Sequence, residues 1–164
     1  MQKLTWKEKY AAVLVLLIGI IWLLMQIASI ASNKSASYAM NEGALHINKN
    51  EFFSDIKTWL VIIMGVAAGF LLLRSKTLGW VLGLPVLLLF ATFLLVTGIQ
   101  QIITLNGKPN GSLTIPGVAL LLLVLAIAFL LAKQTRRNYK ISNRVVVLTL
   151  LLFVGLGGLY YFLQ

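Results

Sequence analysis

The sequence predicts an all-α, polytopic integral membrane protein with five transmembrane helices. Hydrophobic residues make up 60% of the 164-residue chain and charged residues only 11%, which departs strongly from the composition of soluble domains. Five long stretches are nearly free of charge, and about 20 apolar residues in a helix suffice to cross the hydrocarbon core of a bilayer. Most of the cations lie between these stretches. We therefore interpret residues 1–164 as a single membrane domain.

The five predicted helices follow one another along the chain. The first covers residues 10–31 and is longer than the apolar part of a cleaved signal peptide, which favours an uncleaved anchor. The second apolar run is short, but apolar residues recur at helical spacing just before it. This pattern predicts one helix over residues 52–73. The other three helices are predicted over residues 80–103, 113–132 and 145–162.

Two connections have distinctive compositions. The outer loop, residues 32–51, is polar and contains a glycine between the short runs 38–40 and 44–47, a pattern typical of a small β-hairpin. The basic inner loop, residues 133–144, carries five cations. Most tryptophans and tyrosines, Trp80 among them, fall near predicted helix ends, as in an aromatic belt.

The distribution of cations predicts the orientation. With the N-terminus inside, ten of the 14 lysines and arginines lie on the inner side of the membrane and four on the outer side. Cytoplasmic loops of membrane proteins carry such an excess of lysine and arginine. We therefore expect an N-terminus inside and a C-terminus outside, in a plasma membrane or a bacterial inner membrane.

The sequence offers no recognisable catalytic chemistry. It has no cysteine, which excludes thiol chemistry, and no phosphate-binding or zinc-protease motif. No ionisable residue lies in the interior of a predicted span, which argues against an ion-driven pump. The only histidine, His46, lies on the outer loop near two acids, but a single histidine on a solvated loop usually has no catalytic or metal-binding role. We therefore predict no enzyme activity, no cofactor and no metal site.

Glycines in the second and third helices predict close helix packing. Gly65 and Gly69 form a GxxxG pattern in the second helix, and Gly79 and Gly83 form another in the third. In an antiparallel pair, Gly69 and Gly83 would lie at similar depth. We therefore expect these two glycines to face each other.

Polar residues cluster at the outer end of the predicted bundle. Thr97, Gln100 and Gln101 share one face of the third helix, and Gln26 lies near the outer end of the first. Two interpretations are open for these residues. They form hydrogen bonds between helices, which we favour, or they line a vestibule between helices one and three that could admit a ligand.

The basic inner loop is interpreted as a topology determinant that also contacts lipid. Clustered cations beside a transmembrane helix attract anionic lipid on the cytoplasmic face. The residues expected to do so are Arg136, Arg137, Lys140 and Arg144. Charge alone would also permit nucleic-acid binding, but we expect none.

These observations lead to two hypotheses about function. The first is a non-enzymatic multi-pass membrane protein that serves as an accessory, assembly or lipid-organising component of a membrane complex, with a membrane-protein partner or a second copy of itself. The alternative is a small oligomeric permease or channel for a neutral or lipid-like solute, entered at the outer polar cluster.

Overall fold

The chain folds into a bundle of helices with one short hairpin. The computed structural model describes residues 4–31, 38–41, 44–47, 49–104 and 114–162. Its helices are α1 (Trp6–Ala31), α2 (Lys49–Leu73), α3 (Thr77–Thr104), α4 (Thr114–Leu131), α5 (Lys133–Asn138) and α6 (Asn143–Phe162). Strands β1 (Tyr38–Asn41) and β2 (Ala44–Ile47) pair antiparallel, with Tyr38 opposite Ile47. The helical architecture agrees with the predicted fold class.

Three helical segments are long and apolar enough to cross a membrane. They are Trp6–Ser29, Ile56–Leu73 and Thr77–Ile103. Two further apolar segments, Pro116–Leu131 and Asn143–Gly158, are shorter. These lengths agree with a membrane protein.

Four helices begin earlier than predicted from their apolar runs. Helix α1 begins at Trp6 instead of residue 10, α2 at Lys49 instead of residue 52, α3 at Thr77 instead of residue 80 and α6 at Asn143 instead of residue 145. At the start of α1 the Thr5 backbone N–H donates to Glu8 Oε2 over 2.7 Å, and the Glu8 N–H donates to Thr5 Oγ1 over 3.4 Å. This reciprocal capping box stabilises a polar first turn. An apolar run therefore marks the span and not the whole helix.

The basic connection is not a simple loop, because it contains the short helix α5. Lysine, glutamine and arginine are good helix formers, and this segment has no glycine or proline. The helix ends in a Schellman motif, in which the Ile141 N–H donates to the Arg136 carbonyl and Lys140 adopts φ 54°. The α2–α3 turn has the same geometry, with Ser75 at φ 54°.

Helices α1 to α4 form a ring, and α6 packs outside it. Helix α1 contacts α2 and α4 extensively, and α3 contacts α2, α4 and α6. Successive long helices run antiparallel. The start of α1, the α2–α3 turn, α5 and the start of α6 therefore lie at one end, here called the basic end. The β-hairpin lies towards the opposite end, here called the hairpin end.

The most closely packed part of the core lies in the half of the bundle near the basic end. The largest fully buried side chains there include those of Trp80, Tyr139, Leu72 and Leu130. Its position near a predicted helix end suggested that Trp80 belongs to an aromatic belt. This prediction is wrong, because the side chain is fully buried. The Trp80 indole on α3 packs against α4, where its N–H donates to the Leu130 carbonyl near the end of that helix.

Candidate functional site

The glycines of α2 pack against α1. A Cβ atom added at Gly65 would lie 3.2 Å from the Cα of Gly19, and one added at Gly69 would lie 2.7 Å from the Cβ of Leu16. Neither site has room for a larger side chain without movement of α1. Gly19 on α1 supplies the surface that contacts Gly65. The sequence does not mark Gly19 as a packing residue, because no glycine lies four residues away to form a GxxxG pattern.

The glycines of α3 pack against a different face of α2. A Cβ added at Gly83 would lie 2.9 Å from Leu72 Cδ1, and one added at Gly79 would meet the backbone of Leu71 and Leu72. The expected contact between Gly69 and Gly83 is therefore wrong. Gly69 and Leu72 are three residues apart, so they point in directions about 60° apart around α2 at the helical period. Each of the two faces meets a different neighbour.

Five described glycines nearer the hairpin end have no such contacts with the part of the chain that the structure describes. A Cβ added at any of them would meet none of the described atoms within 4 Å outside its own surroundings. They lie on α3, α4 and α6: Gly98, Gly117, Gly155, Gly157 and Gly158. The described helices are thus close together near the basic end and further apart towards the hairpin end.

Hydrogen bonds join the helices at the basic end, in what we call the basic-end network: Glu8, Thr77, Trp80, Asn138 and Tyr139. The Tyr139 hydroxyl donates to the Leu72 carbonyl over 2.9 Å, and Thr77 Oγ1 donates to the Tyr139 carbonyl over 2.9 Å. Trp80 Nε1 donates to the Leu130 carbonyl over 2.9 Å. Two of the accepting carbonyls lie in the last turns of α2 and α4, where helices leave carbonyls without intrahelical donors. The Leu72 carbonyl also accepts the Ser75 backbone N–H of the following turn.

Glu8 connects α1 to the same network. Its side chain is only 2% exposed, and Asn138 Nδ2 donates to its Oε1 over 2.8 Å while its other oxygen caps α1. Burial of Tyr139, together with the negative charge of Glu8, raises the pKa of the Tyr139 hydroxyl above its usual value. The hydroxyl therefore stays protonated and acts as a donor.

Sequence reasoning missed most of this network. The spacing of Thr5 and Glu8 is a recognisable capping box and could have identified the start of α1. No such signal exists for Asn138 and Tyr139. They lie in a basic connection, and only the fold reveals that one side of α5 turns towards the core.

The predicted lipid-contacting cations surround this network. Arg137, Lys140 and Arg144 are exposed, while Arg136 is half-buried and donates to Asn143 Oδ1 over 2.9 Å. Arg136 Nε is buried and has no hydrogen-bond partner among the described atoms. Exposed cations of α1 and of the α2–α3 turn lie at the same end: Lys7, Lys9, Arg74 and Lys76.

A pocket of about 470 Å³, here called the lateral pocket, lies in the more open half of the bundle. It is formed between α1, α2, α3 and α6 and has a mostly apolar, aromatic lining with a few polar side chains. The apolar lining residues are Trp22, Val61, Leu89, Phe90, Phe93, Val96, Phe153 and Gly157. The polar lining residues are Lys57, Thr58, Thr92, Thr97 and Gln100.

The pocket brings together part of the predicted polar cluster. Thr97 and Gln100 line it, whereas Gln26 and Gln101 are not among its lining residues. Thr97 Oγ1 donates to the Phe93 carbonyl over 2.8 Å, so this hydroxyl is bonded within its own helix. The vestibule was expected between helices one and three. Residues of both helices line the lateral pocket, together with residues of α2 and α6.

The aromatic wall of the pocket explains a tryptophan that lies in the middle of a span. The rings of Trp22 and Phe90 meet edge to face, with centroids 5.4 Å apart. Both residues line the lateral pocket, and their contact joins α1 to α3. Sequence reasoning could not assign the pocket, because its lining residues come from four separate helices.

The described residues do not suggest acid–base or metal chemistry. Among them no group of three histidines, cysteines or acids lies close enough to hold a metal ion. Lys57 is the one ionisable side chain among the described lining residues of the lateral pocket. Comparison of the chain with protein-family models, curated proteins and solved structures gave no match.

Proposed function

We propose that the chain is a non-enzymatic, multi-pass membrane protein that acts as an accessory, assembly or lipid-organising component of a membrane complex. The observation that supports this best is the contrast between the two halves of the bundle. Near the basic end, polar groups form hydrogen bonds between helices, and near the hairpin end a Cβ added at the described glycines of three helices would contact none of the described residues of another helix. Small residues without contacts favour the close approach of another membrane helix.

We place this partner on the exposed surface of helix α6. Among the described helices, α6 makes extensive contacts with α3 alone. Val147, Leu151 and Val154 follow one another at helical spacing on its outer face and are 57%, 66% and 65% exposed. A membrane helix of a second copy or of another chain would cover this face.

The proposal includes five spans, with the N-terminus inside. Helix α4 has 18 residues and α6 has 20, so at the helical rise they measure about 27 and 30 Å. These lengths are close to the thickness of a hydrocarbon core. The gathering of cations at the basic end supports its placement on the cytoplasmic side of a plasma membrane or a bacterial inner membrane.

The partner is tested by photo-crosslinking in living cells. A photoreactive residue at Leu151 is expected to give one discrete product, whose mass distinguishes a second copy from another chain. The matched control is Val13, which is 45% exposed on α1 and away from α6. Equal, diffuse products from both positions would contradict the proposed interface.

The lateral pocket favours a second candidate, a small oligomeric permease or channel for a neutral or lipid-like solute. Its volume of about 470 Å³ is within the range of small-molecule sites. This alternative requires a symmetric assembly with a central opening continuous with the pocket. Purification in mild detergent followed by imaging of the particles distinguishes it from a complex with a different chain.

A further inference from the structure

A seam of mostly apolar residues runs along the face of α6 that turns away from α3. Thr149 is fully buried and Leu151 is exposed, and at two residues apart they point about 160° apart around the helix. From Leu151, exposed side chains and an open glycine recur at intervals of three and four residues, the spacing of helices that pack side by side. These residues, here called the α6 seam, are Arg144, Val147, Leu151, Val154 and Gly158.

The seam begins in a groove of about 390 Å³ at the basic end. The lining residues of the groove are Asn143, Arg144, Val147, Leu148 and Leu151. Asn143 Oδ1 already accepts a hydrogen bond from Arg136. Arg144 is exposed and makes no hydrogen bond or ion pair with the part of the chain that the structure describes. Its charge can therefore pair with a group from outside the chain.

We propose that the α6 seam binds a transmembrane helix of a different chain, and that this helix places a carboxylate opposite Arg144. The inference rests on the proposed accessory role. It decides between a second copy and another chain, which the proposed function leaves open. It also names the chemistry by which the partner is recognised.

The length of the seam favours a helix over a lipid. Arg144 and Gly158 are 14 residues apart, which corresponds to about 21 Å along α6. One leaflet contributes only about 15 Å of hydrocarbon. A single lipid would leave the far end of the seam uncovered, whereas a membrane-spanning helix would cover all of it. Gly155 and Gly158 are open to the described atoms, so a second backbone can approach closely there.

Charge argues against a second copy as the occupant. Two copies in the same orientation that met along their seams would place their Arg144 side chains opposite each other. Glu8 is the one acid at the basic end of the described chain, and it is buried and bonded to Asn138. Glu51 and Asp55 lie in the first turns of α2, at the hairpin end. A second copy therefore offers no carboxylate from its described residues, whereas an acid on another chain would form a charge-assisted pair with Arg144.

Photo-crosslinking from Leu151 in living cells, combined with substitution of Arg144, tests the proposal. Mass spectrometry of the digested product identifies the crosslinked chain and the helix that meets the seam. We expect a chain other than this one, with an aspartate or glutamate near the cytoplasmic end of that helix. Arg144→Gln should lower the yield of the product about tenfold, as for the loss of one hydrogen bond between charged groups. Arg144→Lys, which keeps the charge, should lower it less.

Matched variants locate the effect. Arg137→Gln removes an equal charge from an exposed position on α5, outside the seam, and should leave the yield unchanged. Gly155→Leu should prevent close approach and remove the product, whereas Gly117→Leu, at an equally open glycine on α4, should not. Arg144→Glu should abolish the product, and replacement of the partner's carboxylate residue by arginine should restore it.

Each contrary outcome has a distinct meaning. A product with the mass of two copies would overturn the proposal and leave the accessory role in place. A different chain whose yield is unchanged by Arg144→Gln would do the same, because the charge would then not recognise the partner. Adducts of lipid alone at Leu151 would contradict both the proposal and the partner interface that the accessory role requires.

Discussion

Glu8 illustrates how an acid can be buried in an apolar bundle. A carboxylate removed from water is costly unless hydrogen bonds replace its hydration. Glu8 accepts from the Thr5 backbone and from Asn138, and it lies in the first turn of α1, where the helix dipole favours negative charge. Its position therefore joins the start of α1 to α5.

Tyr139 should make the protein sensitive to alkaline pH. Its pKa is raised in the folded state, chiefly by burial and further by Glu8, so the folded protein retains a proton that the unfolded chain loses near pH 10. The stabilisation is complete below pH 10. It should fall by up to about 1.4 kcal/mol per pH unit as pH rises above 10. Unfolding by sodium dodecyl sulfate in mild detergent measures this slope.

The control for this prediction is Tyr139→Phe, which keeps the ring and removes the titrating hydroxyl. The variant should show a flatter decline above pH 10 than the unsubstituted protein. It should also be less stable at neutral pH by about 1 kcal/mol, because the hydrogen bond to the Leu72 carbonyl is lost. Identical slopes in the two proteins would show that Tyr139 does not titrate as inferred.

Ser75 is a position where glycine should increase stability. Its φ of 54° lies in the left-handed region, which costs a residue with a Cβ about 1–2 kcal/mol. Ser75→Gly should raise the free energy of unfolding by about 0.5–1 kcal/mol, since glycine loses part of the gain as chain entropy. Denaturation of both proteins in detergent measures this difference in the free energy of unfolding.

The matched control is Ser142→Gly, because Ser142 Oγ accepts from the Val145 N–H at the start of α6. There the same substitution removes a helix cap and should destabilise by a few tenths of a kcal/mol. If both substitutions lower stability, the left-handed turn does not store the inferred strain.

At the scale of helices, the contact between α1 and α2 depends on small residues. A methyl group at Gly69 would lie 2.8 Å from the Cα of Leu16, so Gly69→Ala should push the helices apart. We expect a loss of about 1–3 kcal/mol, as for other overpacked sites. Gly98→Ala on α3 should be nearly neutral, because no atom lies within 4 Å of the added carbon. Thermal denaturation of both variants checks the difference.

The existence of the long helices could be predicted from sequence, but the faces by which they meet could not. In a membrane helix the residues that face lipid and those that face the core are both apolar, so the whole helix is an uninterrupted apolar run. Such runs identify α1 and α3. For the same reason they do not show which side is buried. Gly69 on α2 was therefore predicted to contact α3, although it packs against α1. Helix α5 was not predicted, because its mostly exposed residues show no apolar periodicity.

The candidate site was predictable only in part, for a related reason. Thr97 and Gln100 stand out as polar residues in an apolar helix, and both line the lateral pocket. Phe90, Phe153 and Gly157 are ordinary residues of membrane helices, and their role depends on how α6 lies against α3. Lys57 marked the end of a short span in the sequence, and only the fold places it among the lining residues of the lateral pocket.

At the scale of the whole molecule, the two ends of the bundle differ in packing and in charge. The basic end combines buried hydrogen bonds with exposed cations. The opposite half has open glycines and the lateral pocket, which suit association with lipid or another chain. Substitution of four of the five basic-loop cations, Arg136, Arg137, Lys140 and Arg144, should therefore weaken the proposed contact with anionic lipid more than it changes the lateral pocket.

The number of spans and the orientation can be tested together, because the chain has no cysteine of its own. Single cysteines are introduced at Ser75 in the α2–α3 turn, at Gln134 in α5, and at Ser112, which lies outside the described residues. We expect an impermeant thiol reagent to label only Ser112→Cys in intact cells, and all three after permeabilisation. The positive-inside distribution and five membrane crossings together require this pattern.

Each other labelling pattern has its own meaning. Labelling of Ser75→Cys and Gln134→Cys without Ser112→Cys would show five spans in the inverted orientation. If only α1, α2 and α3 crossed the membrane, everything after α3 would remain on one side. Gln134→Cys would then be labelled together with Ser112→Cys, while Ser75→Cys stayed protected. Permeabilised cells provide the control for reactivity, since a cysteine that is merely buried in the bundle fails to react there as well.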